Sequence, residues 1–433
     1  MTRRVLMASW LFAPNVSIGA KRAVRFARWL PTFGWAPTVL CRRVTPASQR
    51  DPSPVALPPE VTVLRAYDHP FFARFANTEA TPPPAAPATP AHEPLARPWR
   101  ARAEERWKLL VDAMVPTDTV AIHAPHAMAK LDALAPSHDL LWTTSYPYHT
   151  HALGLAVARQ RRKPWVVDLR DPWTPNWVHH RKFPHARYVE SWLERAVVEG
   201  ADAVVVTTEA LAELYRAMFP AHAGKFRCIH NAFDPVGDDA PPPDVRGPGE
   251  PRRLVHFGNV YGPWSFETLY RALAQLRREG SLPPVVLENY GKLSDRDRAL
   301  AASHGVGDVV RVLPPLPFDR GLARLRGADA LLLAGWDDPD ARLYVQGKAF
   351  DYLAAARPVL AESAHPDIRR IVEDTRAGTV VAPGDVRAMA DALRPLLRDD
   401  AAPPARDEAA VSYYSAREAT ARLASLFDEV IRT

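Results

Sequence analysis

The residues best suited to chemistry in this chain stand just after its apolar runs. Lys348 and Asp351 lie three apart in Val345-Gln346-Gly347-Lys348-Ala349-Phe350-Asp351-Tyr352-Leu353, so one helix face carries both. Gly347 precedes that helix. Free amides at its start together with a lysine would neutralise a diphosphate, and the carboxylate would accept two hydrogen bonds from a ribose diol. The plain alternative is a surface ion pair. Only eight of the 55 basic residues are lysine, which tilts the pair toward a ligand.

Four other places have the right residue types. Asn15-Val16-Ser17-Ile18-Gly19-Ala20-Lys21-Arg22 follows the first apolar run, and Gly19 at the mouth of a helix lets an anion approach the backbone, or simply makes a turn. G-x-G-x-x-G, the dinucleotide fingerprint, is absent. In Tyr146-Pro147-Tyr148-His149-Thr150-His151 either histidine could donate to a phosphate or a sugar hydroxyl. The chain has 15 histidines, and a satisfied or merely exposed ring is the bland counterpart. Asp168-Leu169-Arg170-Asp171-Pro172-Trp173 could bind hydroxyls, form an acid/base pair, or make a structural ion pair, and nearby Trp173, Trp177, His179 and His180 suit a sugar. His256-Phe257-Gly258-Asn259-Val260-Tyr261-Gly262 mirrors the Gly19 turn, either as a loop that approaches a ligand or as a tight turn.

These places need elements to position them. Short apolar runs alternate with amphipathic stretches, the pattern of parallel sheets with crossover helices. Strands are expected at Arg4–Trp10, Pro37–Cys41, Val61–Ala66, Leu140–Thr144, Trp165–Asp168, Ala203–Thr207 and Phe226–His230. A second set is expected at Leu254–Gly258, Val285–Asn289, Val309–Leu313, Ala330–Ala334, Val359–Ala361 and Thr379–Val381. Both halves read as doubly wound α/β domains, residues 1–234 and 252–407. The proline-rich Asp234–Pro251 links them, and Thr78–Pro98 is a Pro/Ala-rich insertion in the first. A final helix, Glu408–Ile431, is expected to pack back across the junction.

Composition bounds the function classes. With 433 residues, 47% hydrophobic and 24% charged, the chain holds two cores and is not disordered. A net charge of +6 permits acidic ligands but gives no reason to expect nucleic acid. Cys41 and Cys228 form neither a metal knuckle nor a bridge framework, which predicts a reducing cytoplasm. Arg3-Arg4 before Val5–Ala13 is read as a first strand rather than a signal peptide, and no apolar run is long enough to span a membrane.

The motifs S-x-G-x-K-R-A, S-Y-P-Y-H-x-H, D-x-R-D-P-W, H-N-x-F-D, F-G-N and G-K-x-F-D-Y-L-A-A-x-R-P, in that order, resemble bacterial GT-B-fold glycosyltransferases, most closely the large retaining family 4. The resemblance covers nearly the whole chain, and its last motif is the most specific. It implies two Rossmann-like domains facing a cleft, with the nucleotide-sugar donor on the second and the acceptor on the first. It implies that Asp351 meets the donor ribose, that Gly347 and Lys348 meet the diphosphate, that Gly258 and Asn259 form the first donor-side loop, and that Gly19 reaches across. His151 or His149, and Asp171, fall near the transferred sugar. Three positions depart from the family pattern: Leu343 replaces an acidic residue, and Asn259 and Trp264 stand where members carry arginine and lysine.

The reaction expected is sugar transfer with retention, the nucleotide leaving and the protein stabilising charge on its phosphate. No obligatory metal is expected: Asp338-Pro339-Asp340 and Asp295-Arg296-Asp297 read as solvated loop carboxylates. The rivals are an epimerase or phosphorylase on the same scaffold and a non-catalytic nucleotide-sugar-binding partner in polysaccharide assembly. The acceptor class is a glycan, a lipid-linked sugar or a small molecule. The basic stretches Lys21–Leu30, with Lys21, Arg22, Arg25 and Arg28, and Trp99–Met114, with Arg100, Arg102, Arg106, Lys108, Trp99 and Trp107, could lie on anionic lipid at the inner face of the cell membrane, or be ordinary solvated faces.

Overall fold

The computed structural model describes residues 2–15, 18–43, 50, 55–73, 107, 110–176, 179–237, 240–262, 264–335, 343–398, 400–401 and 405–432. Two all-parallel sheets organise them. The first comprises β1 (Arg3–Ala8), β2 (Trp35–Cys41), β3 (Thr62–Arg65), β4 (Leu140–Thr144), β5 (Trp165–Leu169), β6 (Ala203–Val206) and β7 (Phe226–Cys228). Their spatial order is β3-β2-β1-β4-β5-β6-β7. The second comprises β8 (Arg252–Phe257), β9 (Val285–Tyr290), β10 (Val310–Leu313), β11 (Ala330–Leu333), β12 (Val359–Glu362) and β13 (Gly378–Val381), in the order β10-β9-β8-β11-β12-β13. Every apolar run read as a strand is one, and both halves are Rossmann-like.

The strands form where the sequence supplies apolar side chains on both faces. β4, β5 and β6 are buried at every position, as a parallel sheet covered by helices on both sides requires. Side-chain oxygens of Thr208, Ser294 and Asp385 accept from the amides of Leu211, Asp297 and Ala388, fixing where two crossover helices and the helix after the last strand begin. The strand order reverses between β1 and β4 and again between β8 and β11, which opens a crevice at the carboxyl ends of each sheet.

The C-terminal stretch is two helices rather than one, Glu408–Tyr413 and Ala416–Val430. Ser415 causes the break: its side chain accepts from the Glu418 amide and starts a new helix. The exposed backbone there pairs with the end of the first half, Phe233 N donating to Tyr414 O (3.1 Å) and Ala416 N to Phe233 O (2.7 Å). The chain's two passages between the halves therefore run side by side. The last helix packs on the first sheet, its Phe427 ring edge-on to Trp35 at 5.3 Å and its Asp428 accepting from Trp35 Nε1 (2.9 Å). The linker is tied down too: Asp234 accepts from Arg25 and Arg28, and Asp244 from Arg324. The insertion at 78–98 and residues 99–106 lie outside the described residues.

Candidate active site

β8 and β11 pair only through Leu254 with Ala330 and Val255 with Leu331, after which the strands part. The next carbonyl, Leu332 O, accepts from the buried ring of His256 through Nδ1 (2.8 Å) and from Tyr352 Oη (3.2 Å). With Nδ1 donating, His256 Nε2 carries a lone pair. Lys348 Nζ stands 2.9 Å from it and donates. Burial, then the neighbouring Lys348, pushes the His256 ring well below the usual histidine range, so it stays neutral. Lys348 is partly exposed at its surface, yet protein crowds its ammonium closely enough to bring it down to about 7. It has no carboxylate partner among the described residues.

Gly258 makes room for this lysine. Its φ is +119°, and a Cβ there would lie 3.0 Å from Lys348 Nζ. Asn259 turns away and accepts from the Lys292 amide at 2.8 Å, tying the loops after β8 and β9 together. At the start of the helix Lys348–Ala355, the amides of Ala349 and Phe350 donate to Gln346 O and Gly347 O. That leaves the Gly347 and Lys348 amides without a backbone partner among the described residues. Phe257 stacks on Tyr290 at 4.7 Å alongside, giving an apolar wall.

Asp351 is one turn further on. Its two oxygens accept from Lys21 Nζ (2.9 Å) and Arg25 Nη2 (3.0 Å), both on the first half's helix Ile18–Trp29. Burial opposes its charge, but the two cations outweigh burial and hold the carboxyl below its ordinary range. Two lone-pair directions remain for hydroxyls. Lys21, Arg25, Arg28, Asp234, Gly258, Asn259, Lys348 and Asp351 all line one cleft of about 920 Å³ between the halves.

The cations of this helix, expected on anionic lipid or on an ordinary solvated face, instead point inward. Arg22 forms a buried pair with Asp168, Arg25 bonds Asp234 and Asp351, and Arg28 bonds Asp234.

Beyond β4 and β5 the residues separate by role. Asp168 accepts from Arg22 (2.8 Å) and Thr144 Oγ1 (2.7 Å) and is fully buried, so it braces the sheet. Arg170 reaches the carbonyls of Ser145 and Gly19, and a Cβ on Gly19 would stand 2.8 Å from its Nη1. Asp171 is exposed and makes no hydrogen bond among the described residues. The protein crowding around it raises its carboxyl, with Arg170 opposing.

His149 and His151 are buried and do not line the cleft. His149 bonds Asp118 through Nδ1 (2.8 Å) and Tyr67 through Nε2 (3.1 Å). His151 bonds Thr143 Oγ1 (2.9 Å), and its Nε2 is buried without a partner among the described residues. Burial first, then His149 and Arg170, takes His151 down to about 3.

Of the expected donor residues, Gly258, Asn259, Lys348 and Asp351 come together in the cleft, with Gly347 at the helix mouth behind Lys348. Lys21, Arg25 and His256 join them without having been singled out as site residues. Asp297 is buried and accepts from Ser265 and Phe266 as a structural brace. Asp338 and Asp340 lie outside the described residues. Among the described residues no three His, Cys, Asp or Glu side chains gather as a metal-holding group, and no helix is long and apolar enough to cross a membrane.

The glycosyl transferases group 1 model matches residues 251–399, and the glycosyl transferase 4-like domain model matches residues 19–232. A D-inositol 3-phosphate glycosyltransferase of Nocardioides sp. (strain ATCC BAA-499 / JS614) is 27% identical over 228 residues, 48% of this chain and 48% of that protein. The chain thus spans about half the length of that curated relative. Among solved structures, sucrose-phosphate synthase of Thermosynechococcus elongatus superposes with a TM-score of 0.62 at 17% identity, covering 99% of each chain. Anabaena HepE in complex with UDP and glucose gives 0.58 at 14%, covering 99% of this chain and 100% of that one. The trehalose-phosphate synthase of Burkholderia xenovorans with glucose-6-phosphate gives 0.60 at 12%, covering 100% of each. At such identities the structures establish the fold, and the sequence models that match either side of the linker establish the kinship. A chain whose two doubly wound halves each carry a glycosyltransferase signature belongs to the GT-B-fold glycosyltransferases of the group 1, family 4 type.

Proposed function

We propose that this enzyme moves a sugar from a nucleoside-diphosphate sugar to an acceptor held over the first sheet, with the anomeric configuration retained. Lys348 carries the reading: a cation facing the cleft with no carboxylate partner among the described residues, at a helix start and one turn before a cleft carboxylate. The donor diphosphate completes that arrangement. Its negative charge, which grows as the sugar–phosphate bond breaks, falls on Lys348 and on the Gly347 and Lys348 amides. Asp351 accepts from the ribose hydroxyls, Gly258 and Asn259 bound the loop above, and the base rests against Phe257 and Tyr290.

On the first-half side, Arg170 holds the Gly19 turn through its carbonyl, and Asp171 meets the transferred sugar or the acceptor. His151 holds the β4 end through Thr143, and His149 ties Asp118 to Tyr67. The acceptor class is a glycan, a lipid-linked sugar or a small sugar phosphate. The last fits a relative named for inositol 3-phosphate and a similar structure bound to glucose-6-phosphate. No metal is required in this reading, because a lysine and helix amides supply the positive charge; transfer abolished by a chelator and restored by Mg²⁺ refutes it.

Calorimetry with UDP, GDP and ADP tests the donor site. Lys348→Met and Asp351→Asn are each expected to weaken the nucleotide that binds by about tenfold or more, the loss of a charge-assisted bond. Unchanged affinity in both variants means the donor binds elsewhere. An NMR assay of product anomer decides retention.

A further inference from the structure

Several buried or half-buried cations among the described residues face a carboxylate, as Arg22 faces Asp168 and Arg324 faces Glu288. Lys348 instead faces a neutral imidazole. The choice has a chemical consequence. A carboxylate would lock the ammonium in its charged form and would itself repel an incoming diphosphate. An imidazole lone pair accepts a hydrogen bond from –NH3⁺ and, more weakly, from –NH2, and it carries no charge to repel the diphosphate.

We infer that His256 is a positioning residue which holds Lys348 Nζ toward the cleft in either protonation state, so that binding of the donor diphosphate takes up one proton from solvent onto Lys348. The inference rests on Lys348 meeting that diphosphate. Its balance is simple: the amine, a solvent proton and the diphosphate give an ammonium–diphosphate pair, and the imidazole keeps its own proton on Nδ1 throughout.

The geometry supports the positioning. Leu332 O fixes Nδ1 as the donor at 2.8 Å, and the edge-on Phe266 ring at 5.0 Å holds the imidazole plane. Lys348 Nζ completes the chain at 2.9 Å, over a Gly258 that offers no side chain to compete. The other titratable groups around it are otherwise engaged. Asp351, on its own helix, is turned to Lys21 and Arg25 from the first half; Tyr352 donates to Leu332 O; Tyr290, from β9, donates to Glu288. Burial keeps His256 uncharged, and it brings Lys348 down to about 7.

Two substitutions divide the ring's functions. His256→Asn retains a donor for Leu332 O but loses the acceptor for Lys348. His256→Gln extends an amide oxygen toward Lys348 and sacrifices the Leu332 bond. The first measurement needs no nucleotide. With eight lysines in the chain, ¹³Cε-labelled lysine NMR on the full protein, assigned by Lys348→Met, follows this side chain directly. The wild-type resonance is expected to titrate near 7, and in His256→Asn to move by about half a pH unit or more, with His256→Gln closer to wild type.

The second measurement is calorimetry with UDP, GDP and ADP between pH 7.5 and 9, above the phosphate's own titration near about 6, in buffers of different ionisation enthalpy. Proton uptake approaching one per nucleotide is expected at pH 8, with affinity falling about tenfold per pH unit. His256→Asn is expected to weaken binding by about fivefold to tenfold, and His256→Gln to restore most of it. A Lys348 that titrates near 10, or a His256→Asn variant with wild-type titration and proton uptake, overturns the inference. So does equal loss in both variants tracking only a fall in melting temperature. If Lys348→Met leaves nucleotide binding intact, the donor-site reading itself fails, whereas His256 variants that behave as wild type beside a Lys348→Met that does not would sink only this inference.

Discussion

Replacing Asp168 by Asn removes the one carboxylate that Arg22 pairs with among the described residues. The guanidinium donates to both carboxylate oxygens, with contacts of 3.1, 3.1 and 2.8 Å, and the two side chains are 4% and 0% exposed. In the variant Arg22 keeps the carbonyls of Ile229 and His230 at 2.9 Å each, but its positive charge has no buried counterpart. Removing one partner of such a pair costs about 3–5 kcal/mol. At about 2 °C per kcal/mol for a body of this size, the melting temperature should fall by roughly 6–10 °C. Arg22→Met together with Asp168→Asn should recover part of that loss, because no charge is then stranded. Thermal unfolding supplies the first readout, and nucleotide affinity measured well below the transition supplies the second. Affinity is expected to stay within about twofold, since the pair stands apart from the cleft lining. A variant that melts like wild type yet has lost transfer would refute the assignment of Asp168 to the scaffold and return it to the reaction.

Three further outcomes follow from the geometry. Gly258→Ala forces a Cβ onto a residue at φ +119° and within 3.0 Å of Lys348 Nζ, so nucleotide affinity should drop about tenfold with the fold retained; wild-type affinity would mean that the loop yields freely. His151, held near 3 against an ordinary value of 6.5, binds its proton more readily when the chain is unfolded. Stability should therefore fall as the pH drops through 6.5 toward 3, by up to about 1.4 kcal/mol per unit, and His151→Asn should flatten that limb of a urea-midpoint titration. Phe427→Ala should cost about 3–5 kcal/mol and expose Trp35 to fluorescence quenching, although residue 427 lies 392 positions further along the chain; an unquenched Trp35 would count against the terminal helix as core.

The architecture was legible because a doubly wound sheet writes itself as buried apolar runs. Leu140–Thr144 and Ala203–Val206 carry apolar or β-branched residues at every position, and only a two-sided parallel sheet uses such segments. Lys348 and Asp351 were legible because one short helix holds both and three-residue spacing fixes their common face. The contribution of Lys21 and Arg25 was not, since their partner Asp351 is more than 300 residues away, and a row of cations at helical spacing looks the same whether it meets water or carboxylates. His256 was hidden for a similar reason. Its role depends on which nitrogen carries the proton, and that is decided by Leu332 O, on a strand brought alongside only by the crossover between β8 and β11. The terminal helix was expected whole. The capping pattern of Ser415 and Glu418 was present in the sequence, but Phe233, which the break serves, lies in a distant segment.

The side-by-side passages at Phe233 and Ser415 bear on how this enzyme can be dissected. A piece ending at residue 234 would not be an independent folding unit. It would lack the helix that covers Trp35, Phe26 and their neighbours, and would present that apolar face to solvent. An excised first half should instead be spliced, with residue 233 joined through a short turn to residue 415, so that the segment ending at 430 returns to its place. The second half, freed of both passages, then becomes an insertion within the first, and its removal should leave the seven-stranded sheet able to fold by itself.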